Sequence, residues 1–201
     1  MNRLNLNMDK LEFDETRHIY RLNGSVLPSV SEIIRPVSDS FYSGIDPGVL
    51  QKAADRGTTI HSAIETWIEC QMDTIVEDTY RGYFDAFLSW WNANNPEPLA
   101  TEFRVFHKIL RYAGTIDLIA KVGGRTVLVD YKNSVSVNEK AYSLQLEAYR
   151  QALKSHGFEI DGKMILHLKP TGEYEEVWMK EDPNKWLVFN SLKIVRDYIK
   201  S

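Results

Sequence analysis

Residues 114–132 read GTIDLIAKVGGRTVLVDYK, and this stretch decides the fold. Two runs of apolar, mostly β-branched residues flank Gly123-Gly124, and a Gly-Gly pair in that setting is typical of a two-residue β-hairpin turn. The register set by this turn places Asp117 directly opposite Asp130. Because like charges facing each other destabilise a sheet, this pair needs a physical reason.

A bound cation would supply that reason. Asp117 and Asp130 would have Cβ atoms about 5 Å apart on one face of the hairpin. Lys132, two residues beyond Asp130, projects from the same face. Carboxylates in largely apolar strands are tolerated when they share a proton or bind a cation, and their oxygens suit a hard divalent ion such as Mg²⁺. Such an ion activates a water molecule and offsets charge on a phosphate, while the lysine orients or deprotonates the water.

A structural ion pair is the alternative for these residues. Asp117 would then pair with Lys132 or Lys121 as a surface salt bridge across the strands, which is common in proteins. The argument for a metal site also depends on the register, because a slip of one residue moves the two aspartates to opposite faces. Spacing alone leaves both interpretations open.

Helical and strand-like patterns alternate along the rest of the chain. Asn23-Gly24 indicates an N-terminal β-hairpin, and Ser29 begins a short helix that we expect Pro36 to end. Further helices are predicted at 46–71, 79–94, 138–155 and 183–200, and strands at 101–108, 112–122, 125–133, 163–169 and 174–179. Strands flanked by helices on both sides predict a mixed α/β or α+β fold with one central sheet. We expect a single domain over residues 1–201, with residues 1–36, the hairpin and short helix, appended to it.

Composition narrows the class of protein. Of the 201 residues, 43% are hydrophobic and 26% charged, as expected of a folded globular protein rather than a disordered one. No apolar run approaches the roughly 18 residues of a membrane span. The N-terminal residues lack the apolar run of a secretory signal, so we expect a cytoplasmic protein without a membrane partner. The single cysteine, Cys70, is too few for an internal disulfide or a cysteine-ligated cluster. The net charge of −4 neither indicates nor excludes a nucleic-acid partner.

Four short motifs follow one another in a recognisable order. Gly114-x-x-Asp117 precedes Asp130-x-Lys132, Gln145-x-x-x-Tyr149 follows in the next predicted helix, and His61 lies in an upstream one. With these motifs the chain resembles RecB-like nucleases of the PD-(D/E)XK superfamily. The segment at 18–31 is similar to the front end of phage-type exonucleases in that group, so that the resemblance spans most of residues 17–180.

The resemblance implies a restriction-endonuclease-like α/β fold, in which a central mixed β-sheet is flanked by α-helices. It also implies a site for Mg²⁺ or Mn²⁺, without an iron–sulfur cluster, since relatives that hold such a cluster use four cysteines. The implied catalytic residues are Asp117, Asp130 and Lys132, and the implied metal ligands are His61, Asp117, Asp130 and the main-chain carbonyl of Tyr131. Gln145 and Tyr149, one helical turn apart, would contact the substrate. Glu102 is a further candidate, because some members place another acid on the preceding strand.

The activity implied by the resemblance is hydrolysis of DNA by a metal-activated water, by an exonuclease acting on single- or double-stranded linear ends. The alternatives are a structure-specific endonuclease on branched or flapped DNA and a catalytically silent module that binds nucleic acid or a partner protein. The intact set of Asp117, Asp130 and Lys132 favours an active enzyme. The expected setting is a phage or prophage protein in a bacterial host, with a recombination protein as a further candidate partner. The oligomeric state is left open.

Two of these features have structural alternatives. His61 lies on the apolar stripe of its helix, where a histidine is more often a core residue than a ligand, and only the order of the motifs favours a ligand. The helix at 79–94 carries aromatic residues at helical spacing, which suits the stacking of unpaired bases but is more typical of a core-facing stripe. We therefore predict that this helix packs in the core.

Overall fold

The computed structural model describes residues 10–71 and 76–200, together with Leu4, Leu6 and Met8. The N-terminal stretch considered above for a secretory signal lies largely outside the described residues. The strands are β1 (Leu11–Asp14), β2 (Ile19–Leu22), β3 (Ser25–Leu27), β4 (Glu97–Phe106), β5 (Ala113–Val122), β6 (Arg125–Lys132), β7 (Gly162–Leu168) and β8 (Tyr174–Trp178). The helices are α1 (Val30–Tyr42), α2 (Pro47–Cys70), α3 (Asp78–Asn94), α4 (Glu139–Ser155) and α5 (Pro183–Lys200).

A mixed five-stranded sheet in the order β4-β5-β6-β7-β8 forms the centre of the molecule. Strands β6 and β7 are parallel and are connected through α4, whereas the other neighbours are antiparallel. Helices α1, α4 and α5 bury their apolar side chains against one face of this sheet, and α2 and α3 cover the other face. The α/β class with a central mixed sheet is therefore confirmed.

The hairpin between β5 and β6 has the predicted turn. Gly123 and Gly124 adopt φ angles of 56° and 80°, which glycine reaches without a steric penalty. The ladder runs in the expected register from the turn to Leu118 paired with Val129. The ladder ends there, one position short of the two aspartates. The prediction that Asp117 and Asp130 form a ladder pair is therefore wrong.

The N-terminal region differs from its prediction in two respects. The Asn23-Gly24 hairpin is present, but β1 pairs with β2 and makes a three-stranded antiparallel sheet. The prediction that Pro36 ends the following helix is wrong, because α1 continues to Tyr42. Proline removes one helical hydrogen bond, and packing of the buried Ile33 and Ile34 on the core outweighs that loss. Helix α1 thus contributes Val30, Ile33 and Ile34 to the main core.

The aromatic helix α3 packs in the core as predicted. Phe84, Phe87 and Trp90 are buried between α2 and the central sheet. The Trp90 indole donates to the Glu176 carboxylate on β8 over 2.9 Å, which satisfies its one polar group. A search of the described helices for a long apolar segment finds none that would cross a membrane.

A buried charge network fastens α4 to the sheet. Lys163 on β7 is 1% exposed, and its ammonium group contacts the carboxylates of Glu147 and Glu181. Glu147 also accepts hydrogen bonds from Arg150 and Gln151. Burial opposes ionisation of Glu147, but these donors outweigh it and hold the pKa of the carboxyl below its usual value of 4.5. The network keeps α4, which carries two of the predicted site residues, at a fixed position over β6 and β7.

Replacing Glu147 by Gln is expected to destabilise the fold by about 2–3 kcal/mol, because Lys163 then keeps only the exposed Glu181 as a charged partner. Since the folded-state pKa of Glu147 is depressed, its contribution is present above pH 4.5 and is lost as the pH falls through the folded-state pKa. Urea unfolding at pH 7 and at pH 3.5 measures both effects. Glu159→Gln, which breaks an exposed pair with Lys154, is the matched control and should cost under about 1 kcal/mol. Equal losses in the two variants would contradict the assignment.

Candidate active site

Three acids from three adjacent strands meet where β5 parts from β6. Glu102 on β4 lies opposite Asp117 on β5, between two paired positions of these strands, and Asp130 lies on β6 one step beyond the last pair of the β5–β6 ladder. Glu102 has a φ of 44°, a left-handed conformation that is strained for a residue with a side chain. Such strain inside a strand is typical of functional sites.

The carboxylate of Asp117 replaces a backbone hydrogen bond that the β5–β6 ladder would form if it continued past Leu118 and Val129. Its Oδ2 accepts a hydrogen bond from the backbone N–H of Tyr131 over 2.8 Å. The regular alternation of side chains is interrupted at this residue, because Ile116 and Leu118 pack on opposite faces of the sheet although they are two residues apart. Asp117 therefore fills a break in the sheet with its own side chain.

The structure contradicts the alternative of a surface salt bridge at Asp117. The residue is only 8% exposed. Lys121 instead lies 3.7 Å from Glu97, and Lys132 pairs with Asp130. Neither lysine is thus the ion-pair partner that this alternative requires.

His61 on α2 lies close to Asp117 and Glu102. Its Nδ1 lies 3.7 Å from Asp117 Oδ2 and 3.9 Å from Glu102 Oε1. Its Nε2 lies 3.3 Å from the main-chain carbonyl of Tyr131. One ligand atom each from His61, Glu102 and Asp117 lie within 4.8 Å of one another. Glu102, which the sequence offered only through its place on the preceding strand, thus lies in this group.

The donor set fits a hard divalent ion. Carboxylate oxygens with one imidazole suit Mg²⁺ or Mn²⁺. The three ligand atoms lie within 4.8 Å of one another. Opposite ligands of an octahedral ion with bonds of 2.0–2.1 Å lie about 4 Å apart, so the side chains would draw together around such an ion. Burial, followed by the charges of Asp117 and Glu65, raises the pKa of Glu102 to about 8, so a nearby cation would stabilise the charged form of this carboxyl.

Asp130 lies beside this group and is held by other partners. Its Oδ1 accepts a hydrogen bond from Gln145 on α4 over 3.0 Å, and its Oδ2 forms an ion pair with Lys132. Burial raises the pKa of Asp130 to about 6, against the opposing charge of Lys132. Burial lowers the pKa of Lys132, but Asp130 and Asp117 outweigh it, so that the pKa lies above its usual value and the side chain is an ammonium. Lys132 therefore shares the face of Asp130, as the alternation predicted.

Three of the sequence motifs are joined by a chain of contacts. The amide of Gln145, besides donating to Asp130, donates to the hydroxyl of Tyr149 over 3.2 Å. The Tyr149 ring packs directly on Gly114, where a Cβ atom would lie 2.5 Å from the ring carbon Cε1. Gly114 thus leaves room for Tyr149, Tyr149 steadies Gln145, and Gln145 orients Asp130. Gln145 and Tyr149 were predicted to contact the substrate. In this structure Gln145 contacts Asp130, and Tyr149 contacts Gln145 and Gly114.

An open cleft of about 600 Å³ is lined by the candidate site residues, namely His61, Glu102, Gly114, Asp117, Asp130, Lys132, Gln145 and Tyr149. The Tyr131 side chain is instead buried in the core. One wall of the cleft comes from the N-terminal sheet and β4, with Phe13, His18, Tyr20 and Arg104. Sequence reasoning did not assign these residues to the site. Alternation along β4 was the available signal for Arg104, because it places residue 104 on the same face as Glu102. No local pattern signals that the N-terminal sheet folds over the acids.

An acidic cluster with a neighbouring lysine, at the point where β5 and β6 of a mixed sheet separate, defines a candidate metal-binding active site. The sequence model of the PD-(D/E)XK nuclease superfamily matches residues 71–185, more than half of the chain. The chain therefore belongs to the PD-(D/E)XK nuclease superfamily, and the sheet with its flanking helices is the restriction-endonuclease-like fold that the motifs implied.

Two solved structures and one negative finding complete the comparisons. The crystal structure of SSO0001 is similar with a TM-score of 0.36 and 12% identity, over 81% of this chain and 84% of that one. The crystal structure of LHK-Exo in complex with dAMP is similar with a TM-score of 0.41 and 9% identity, over 83% of this chain and 84% of that one. No curated protein sequence matches the chain.

Replacing Gly114 by Ala is expected to destabilise the fold by about 1–3 kcal/mol, since the new methyl group forces the Tyr149 ring to move. In a Tyr149→Ala background the same replacement should cost far less, because the obstructing ring is gone. A double-mutant cycle of urea unfolding measures this coupling. Gly57→Ala is the control, because its Cβ would meet only the Asn133 amide at 3.7 Å and it lies within α2. Additive costs of the two replacements would show that the contact between Gly114 and Tyr149 does not matter.

Proposed function

We propose that this chain is a divalent-metal-dependent DNA nuclease, and specifically an exonuclease that acts on linear ends. The observation that carries the proposal is the convergence of Glu102, Asp117 and His61 in an open cleft, with the Asp130–Lys132 pair directly beside them. A crowded, partly buried cluster of acids is costly for a fold and is useful when it binds a cation. Membership of the nuclease superfamily gives this cation a catalytic purpose.

In this proposal each site residue has a chemical role. Glu102, Asp117 and His61 hold the ion, with Asp130 and the Tyr131 carbonyl as further oxygen donors. An ion bound there supplies a water of lowered pKa and offsets charge on the phosphate. Lys132, as an ammonium, only donates hydrogen bonds, so its role is to orient the attacking water and neutralise developing charge. Gln145 fixes the direction of the Asp130 carboxylate through its hydrogen bond of 3.0 Å.

DNA as the substrate and free ends as the point of attack are the finer parts of the proposal. They are supported by the similarity of the N-terminal segment to phage-type exonucleases and by the open cleft, whose volume of about 600 Å³ accepts a strand of nucleic acid. The same similarity supports a phage or prophage origin and a cytoplasmic site of action. A single domain that carries the whole activity is part of the same proposal.

The decisive assay follows end-labelled linear single- and double-stranded DNA and a closed circle, with Mg²⁺, with Mn²⁺ and with chelator. Wild-type protein should degrade the linear substrates only with metal. Asp130→Ala and Lys132→Ala should slow this degradation by at least about 100-fold, because the first removes an oxygen donor to the ion and the second removes the ammonium that neutralises charge in the transition state. Lys121→Ala, in the same hairpin but paired with Glu97 outside the cleft, is the matched control and should keep the wild-type rate.

The circle distinguishes the modes of attack. Survival of the circle together with loss of the linear DNA supports an exonuclease, whereas cleavage of the circle replaces the exonuclease with an endonuclease. Absence of cleavage by folded wild-type protein in either metal would overturn the enzymatic proposal and leave a binding module.

Metal binding is testable apart from catalysis. Titration calorimetry with Mn²⁺ should show binding to wild-type protein, and His61→Ala and Glu102→Gln should each weaken it by about tenfold or more. Glu97→Gln is the control, because it removes an exposed carboxylate from the same strand, outside the cleft. Equal affinities of the Glu102 and Glu97 variants would exclude Glu102 from the metal site.

A further inference from the structure

The charge balance of the cleft leaves one cation without a role in the proposed chemistry. Among the described residues that line the cleft, the acids are Glu15, Glu65, Glu102, Asp117 and Asp130, and the lysine and arginine side chains are Lys132 and Arg104. Lys132 is bound to Asp130. A polyanion that enters so acidic a cleft needs positive charge on its path, and Arg104 is the cation placed to supply it.

Arg104 is held in position by an aromatic stack. Its guanidinium lies over the Phe13 ring, 5.2 Å from the ring centroid. Phe13 in turn stacks on Tyr20 with a centroid distance of 4.4 Å, and the Tyr20 hydroxyl is hydrogen-bonded to Thr115 over 2.8 Å. A guanidinium stacked on a ring keeps its edge free for bidentate contact with an anion.

The present partner of that edge is an exposed carboxylate. Arg104 Nη2 donates to Glu15 Oε1 over 3.0 Å, and the two side chains are 44% and 75% exposed. Exposed ion pairs of this kind contribute little to stability. A phosphate can therefore displace Glu15 at little cost and take over the guanidinium in a stronger, bidentate geometry.

Arg104 lies near the acids along the same strand and in the same cleft. Arg104 follows Glu102 by two residues on β4, which is about 6.6 Å along the strand. Both residues line the cleft. This offset along the backbone of β4 is comparable to the backbone length of one nucleotide, so Arg104 is the cleft cation placed to meet the next phosphate of a strand whose phosphate lies at the acids.

We propose that Arg104, stacked on Phe13 and released from Glu15, binds the substrate phosphate next to the one held at the acidic cluster. This inference rests on the proposed nuclease function, and it adds a substrate-binding residue on the wall that the N-terminal sheet helps to build. The phosphate is either an internal diester or a terminal monoester, since both present the same oxygens to a guanidinium.

The test measures binding by fluorescence anisotropy, with internally labelled single-stranded oligonucleotides in Ca²⁺ and again with chelator. The oligonucleotides carry a 5′-phosphate, a 3′-phosphate or no terminal phosphate, and a single-stranded circle is a fourth probe. The Kd of Arg104→Gln should rise by about tenfold. The slope of log K against log salt should fall by about 0.7, the loss expected for one phosphate contact on a single strand. Arg104→Lys should bind with intermediate affinity, because it keeps the charge and loses the fork.

Two further variants separate this role from a structural one. Glu15→Gln should tighten binding by about threefold, because it removes the competitor of the phosphate. Glu12→Gln should not, because Glu12 lies on β1, three residues before Glu15, and outside the cleft. Arg125→Gln is the matched control for Arg104, since Arg125 stacks on Trp178 at 4.8 Å in the same manner but lies outside the cleft. Urea unfolding of each variant verifies that the fold is kept.

The outcomes distinguish an internal diester from a terminal monoester, and this inference from the nuclease proposal. An equal effect of Arg104→Gln on all four probes identifies an internal diester, and an effect confined to one phosphorylated end identifies a terminal monoester. An unchanged Kd and salt slope in Arg104→Gln, or a change no larger than that of Arg125→Gln, overturns this inference even if the wild-type protein cleaves DNA. Binding that depends on Arg104 without cleavage overturns the nuclease proposal alone. Absence of binding by the wild-type protein overturns both.

Discussion

The hydrogen bond from the Tyr131 amide to the Asp117 carboxylate is the contact on which the arrangement of the cleft depends. It stands where the backbone ladder between β5 and β6 would have continued, and so it lets the two strands separate without leaving a buried donor unpaired. The separation opens a gap between β5 and β6, which His61 approaches from one face of the sheet and α4 from the other. A polar side chain inside the sheet thus creates the cleft and contributes to its cluster of acids.

The supports of the second aspartate explain why distant motifs occur together in one sequence. Asp130 is oriented by Gln145, which is steadied by Tyr149, which in turn fits only because Gly114 has no side chain. Each of these residues thus helps to hold the next one in place. They depend on one another structurally although they are up to 35 positions apart in the sequence. Helix α4 is the element that joins them, and the buried charge network around Lys163 keeps that helix against the sheet.

The sequence predicts those features that local periodicity and turn chemistry determine. The Gly123-Gly124 turn, the register up to Leu118, the core-facing aromatic helix and the shared face of Asp130 and Lys132 are all present. The continuation of α1 through Pro36 is not predictable locally, because tertiary packing outweighs the lost hydrogen bond. The end of the β5–β6 ladder and the left-handed Glu102 are likewise set by the tertiary structure, since a period of two residues carries no information about where a strand is interrupted.

The electrostatics of the cluster favour a cation beside its acids. Glu102 has its pKa raised from 4.5 to about 8 by burial and by its acidic neighbours. Folding therefore takes up a proton between those pH values, and the contribution of this residue to stability falls as the pH rises through that window. A bound cation would change this effect from unfavourable to favourable, because the same crowded carboxylates that weaken the fold would become its ligands. The local cost to the fold and the proposed affinity for a divalent ion thus have one physical origin, the burial and crowding of negative charge at the break in the sheet.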